Sequence, residues 1–83
     1  MPQVNHILYI LGVIIEINSK WYILTSHHVL FDERNNCERK IMSIESIYKK
    51  KINWSTDYLF FKSDDLALIP ITPIDDHNPA KIY

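Results

Sequence analysis

The chain has 83 residues, 47% of them apolar, which fits one small folded domain and excludes a disordered segment. Its formal net charge is -1, so neither an excess of Lys and Arg nor an acidic tail points to nucleic acid or to a basic partner. A single cysteine, Cys37, rules out an intrachain disulfide.

The first apolar run, residues 7–15 (ILYILGVII), is too short to span a bilayer and is closely followed by Glu16. No basic residue precedes it and no small-residue cleavage site follows, so a buried strand pair is expected, with no membrane contact. Residues 7–17 read as extended, with Gly12 marking a bulge or a close backbone approach. INSKW (17–21) carries turn formers, and WYILT (21–25) resumes a strand, which makes a hairpin.

FDERNNCERK (31–40) reads as a polar connection, and Cys37 within it as an incidental exposed thiol, because no glycine nearby supplies a tight nucleophile turn. In IMSIESIYKKKI (41–52), Ile41, Ile44, Tyr48 and Ile52 fit a helical stripe, while the isoleucines also suit a strand. Lys49, Lys50 and Lys51 form the only charge run and read as a solvated strand end or loop. DYLFFK (57–62) and LALIPI (66–71), divided by SDD, form a second hairpin, with Pro70 expected at a strand end or an edge. The tail TPIDDHNPAKIY reads as a connection leading away from the last strand.

Short β-branched and aromatic runs between turns indicate an all-β domain, either a small β-barrel or an open sheet. A core of this size supplies only about 3–5 kcal/mol, so a partner surface is expected to contribute.

His6 and His77 stand near the ends among polar or turn residues and receive no role. YILTSHHVL (22–30) places His27 and His28 at a strand end, and an imidazole titrating near neutrality suits a general base. Adjacent histidines on an extended strand point to opposite faces, so a shared metal ion with Asp65 is not favoured. Asp65 opens the apolar strand LALI, where it can either cap the SDD bend or orient an imidazole.

The two stretches together resemble the first half of the chymotrypsin-like serine proteases, especially the HtrA-type and related trypsin-like peptidases. ILTSHHV (23–29) matches the family's stretch around the catalytic histidine, which falls on His28. DLALI (65–69) matches the aspartate stretch and places that residue on Asp65, not Asp64. Gly12 and the strands after it match the family's approach to the histidine, so the resemblance covers roughly residues 10–71. It implies a small β-barrel or half-barrel over 1–71, the start of an inter-barrel linker over 72–83, and residues 40–62 mostly in strands. It implies that His28 acts as base and acid and that Asp65 fixes its tautomer, with no cofactor.

The family's nucleophile, a serine or cysteine in a Gly-x-Ser-Gly or Gly-x-Cys-Gly setting, has no counterpart here. Gly12 is the only glycine, and no Ser or Cys follows Asp65. The expectation is a partial endopeptidase unit, inactive by itself. Its nucleophile would come from the rest of a longer chain or from a partner chain, and its substrate would be a peptide or protein. The alternative is a degenerate relative that serves as a binding or protein-interaction module. The lone cysteine and the missing signal fit an intracellular or viral setting.

Overall fold

The computed structural model describes residues 12–41, 43–46 and 50–82. His6, Tyr48, Lys49 and most of the first apolar run lie outside these residues. Among the described residues a five-stranded mixed sheet dominates, in the order β5-β6-β2-β1-β7. β1 (Val13–Ile17) and β2 (Lys20–Thr25) form the expected hairpin, with Ile17 facing Lys20 across a two-residue loop. Asn18 and Ser19 both have positive φ (51° and 66°), as the tight primed hairpin turns demand. β5 (Leu59–Phe61) and β6 (Leu66–Ile71) form the second hairpin, and β6 pairs antiparallel with β2. Pro70 lies one residue from the end of β6, beyond the stretch that β5 pairs, so its missing N–H interrupts no ladder there.

Gly12 shows why a side chain is excluded just before β1. A Cβ there would lie 2.7 Å from Ile23 Cγ2 and 2.9 Å from the Leu24 carbonyl oxygen. The close approach foreseen from the sequence is thus made to β2.

One sheet face carries the core. Ile23, Ala67, Ile69 and Ile71 pack there with Leu30, Ile44 and Ile52. The other face carries the row Val13, Leu24, Leu68 and Leu59, set by the register of four neighbouring strands. Val13, Leu59, Phe61, Leu66 and Ile82 stay exposed.

The fold is β-rich as expected, but no closed barrel is formed among the described residues. Four expectations need correction. Residues 40–62 are not mostly strand. Before β5 their described part holds only the isolated bridges Glu45–Lys51 and Trp54–Ile71. Ile44 and Ile52 are buried, and Ile41, Trp54 and Tyr58 pack beside them, so the segment's apolar residues cover the sheet instead of lengthening it. The tail does not simply lead away, because β7 (Ala80–Ile82) returns to pair parallel with β1. Finally, β2 ends at Thr25 as read, but His27 and His28 are not extended: His27–Leu30 form a one-turn helix, α1. β3 (Phe31–Asp32) and β4 (Cys37–Glu38) follow as a separate small hairpin, which puts exposed Cys37 on a strand instead of in a loop.

Candidate functional site

The chain turns at Ser26, whose extended backbone ends β2 and whose carbonyl accepts the Val29 N–H at 3.1 Å. α1 then sends its two histidines in different directions. His27 is buried, its ring stacked on Phe31 (centroids 5.3 Å apart) and met edge-on by Phe60 (5.0 Å). Its Nδ1 lies 3.9 Å from Glu33 Oε1. The i, i+4 spacing of His27 and Phe31 was a readable hint of this stacking. His28 points outward, and 68% of its side-chain surface is exposed. The two histidines do face different ways, but through a helical turn and not through strand alternation.

Asp65 reaches His28 from the opposite hairpin. Lys62–Asp64 form a single 3-10 turn, closed by the Asp65 N–H donating to the Lys62 carbonyl at 3.1 Å. Asp65 itself is left-handed (φ 52°, ψ 44°), a conformation that short polar side chains tolerate best. It therefore does both things the sequence left open, terminating the SDD bend and meeting the imidazole. Its carboxylate stays largely solvated, with 54% of its side chain exposed.

Three hydrogen bonds join the two residues' segments. Asp65 Oδ2 lies 2.8 Å from His28 Nδ1. The His28 backbone N–H donates to Asp65 Oδ1 at 3.1 Å. The His27 N–H donates to the Asp65 carbonyl oxygen, also at 3.1 Å. An ionised carboxylate only accepts, so the proton between the side chains sits on Nδ1. The neutral ring then keeps its lone pair at Nε2. The His28 hydrogen bonds, the side-chain one foremost, hold the Asp65 carboxyl below its ordinary pKa, and the small burial present opposes them.

No protein family model, curated protein or solved structure matches this chain. No cluster of His, Cys, Asp and Glu fit to hold a metal ion occurs among the described residues.

Residues given no role from the sequence flank His28 on the side away from Asp65's bond. The β3–β4 loop brings Arg34 and Asn35, and the residue after β4 brings Arg39, beside His28 around a depression of 480 Å³. Arg39 Nε donates to the His28 carbonyl at 3.4 Å. The spacing Asp-x-x-Asn in DERN was the available signal. Asp32 Oδ1 accepts the N–H groups of Arg34 (3.0 Å) and Asn35 (3.3 Å), and Oδ2 accepts Asn35 Nδ2–H (2.7 Å).

Proposed function

We propose that this chain provides the base and its orienting carboxylate for a trypsin-like serine- or cysteine-type endopeptidase, within a fold related to that family's N-terminal barrel. The observation that carries the reading is the Asp65 carboxylate gripping both Nδ1 and the backbone N–H of His28 (2.8 and 3.1 Å). A single bond to the ring would let the imidazole swing. A second bond to the same residue's backbone fixes the ring's orientation relative to its own main chain.

The chemistry follows from that geometry. With the proton held at Nδ1, Nε2 takes the proton of an attacking hydroxyl or thiol. His28 becomes an imidazolium facing the ionised Asp65. The proton then passes from Nε2 to the departing amine. Base catalysis of this kind contributes roughly 10²–10⁴ in rate. The nucleophile and its oxyanion donors come from another segment, since no Ser or Cys follows Asp65 and Gly12 is the sole glycine.

The test is to isolate polypeptides carrying this segment from their native source with a segment-specific antibody. They are then labelled with a fluorophosphonate and with a thiol-directed electrophilic peptide probe. Labelling of a serine or cysteine in a Gly-x-Ser-Gly or Gly-x-Cys-Gly peptide, lost in His28→Ala, supports the reading. No labelling of any associated polypeptide by either probe would sink it.

A second reading, a binding module without catalysis, draws on the exposed apolar residues Val13, Leu59, Phe61, Leu66 and Ile82. In that case His28→Ala leaves partner binding unchanged, and substitutions of Leu59 and Phe61 abolish it.

A further inference from the structure

The depression beside His28 contains two acids and two arginines, so its formal charge cancels. The way these groups are engaged does not cancel. Both Asp32 oxygens already accept three hydrogen bonds from within the β3–β4 loop, at 2.7–3.3 Å. Glu33 Oε1 lies 3.9 Å from Nδ1 of the buried His27, beyond hydrogen-bond reach, and 60% of its side chain is exposed, so one acid stays available against the two arginines. Of the two guanidinium groups, that of Arg39 also helps keep Asp32 ionised by its charge. Arg39 spends its Nε–H on the His28 carbonyl at 3.4 Å, which ties its stem to the residue carrying the base. Each guanidinium has five donors in a flat fork that matches a carboxylate edge. Phe31, half-buried, forms an apolar wall of the same depression, and Asn35 is fixed by its bond to Asp32.

We infer that this depression is a subsite for the carboxylate of an Asp or Glu side chain in an extended peptide, recognised by Arg39 and Arg34. The inference rests on His28 being the base, because only then does a side chain seated here bring its own backbone to the reacting position. The volume of 480 Å³ is ample for a glutamate side chain and its flanking backbone. The site is open to solvent, so the peptide contact is weak and sensitive to salt.

The experiment is an NMR titration of the isotope-labelled full chain with the blocked peptide acetyl-Ala-Glu-Ala-amide and its Gln and Lys counterparts, at fixed ionic strength. The Glu peptide is expected to bind at least five-fold more tightly than the Gln peptide and to shift Arg34, Arg39 and His28 resonances. Arg34→Gln, at an exposed loop position, lowers that preference, and Arg34→Gln with Arg39→Gln removes it. Equal binding of the Glu and Gln peptides overturns the inference, as does a response that maps away from the β3–β4 hairpin. Inorganic phosphate competing as well as the Glu peptide also overturns it, since a general anion site would then replace the peptide subsite. His28→Ala separates the two claims. If the subsite is correct, that variant still prefers the Glu peptide, whether or not His28 proves to be a base.

Discussion

Asp65 occupies a backbone conformation in which asparagine is as comfortable as aspartate, so its charge can be removed with little disturbance to its main chain. In Asp65→Asn the carboxylate no longer holds the Nδ1 proton of His28. That proton's NMR signal is expected to exchange faster and move upfield, and an unchanged signal would contradict the pairing. The folded carboxyl titrates below its unfolded value, so its contribution to stability is complete above about pH 4. That contribution is lost as pH falls through the lower folded pKa. Urea midpoints followed from neutral pH into acid should fall less steeply for Asp65→Asn than for the parent in that acid window. His27 acts through packing between Phe31 and Phe60. His27→Ala should cost about 2–3 kcal/mol in urea unfolding, as a truncated buried ring does. The order of histidine and aspartate was legible because each stands at the edge of an apolar run. The burial of one histidine and the exposure of the other were not, because the helical turn that separates them begins only where the Asp65 carbonyl captures the His27 N–H.

Hairpins were the elements that sequence defined best. Asn18-Ser19 and SDD are turn formers set between short apolar runs, and the turn positions fix the pairing of the strands on either side. Ser19→Gly installs the dipeptide that this turn favours most and should raise stability by about 0.5–1 kcal/mol. Gly12→Ala should destabilise by about 1–3 kcal/mol, because its methyl group meets Ile23 and the β2 backbone. Thermal unfolding of the two variants checks both signs. For residues 40–62, where the local pattern left helix and strand open and the resemblance implied strand, the difference before β5 has a physical reason. Covering a sheet face takes apolar residues at irregular spacing, and β-branched residues serve that purpose as readily as they form a ladder. The pairing of β7 with β1 was equally hidden, since AKI gives a strand only a short signal and its partner lies far away in sequence.

At the scale of the whole molecule, the sheet face opposite the main core buries Ile15 and Leu68 but leaves Val13, Leu59, Phe61, Leu66 and Ile82 exposed. An apolar surface of this kind favours association. Sedimentation should show the mean mass rising with concentration, and Leu59→Lys with Phe61→Lys should bring it back toward the monomer. The bond between His28 and Asp65 spans 37 residues and sits where β2 meets β6. Its timing in folding follows from that position. The β1–β2 hairpin closes locally, on a scale of about 1–10 μs. Joining β2 to β6 must first bring together distant parts of the chain, a step that slows β-rich domains to about milliseconds or longer. The imidazole therefore stays unpaired through the early, local phase and acquires its carboxylate only when the central strands dock, so the His28 Nδ1 proton doubles as a clock for the slow step of folding.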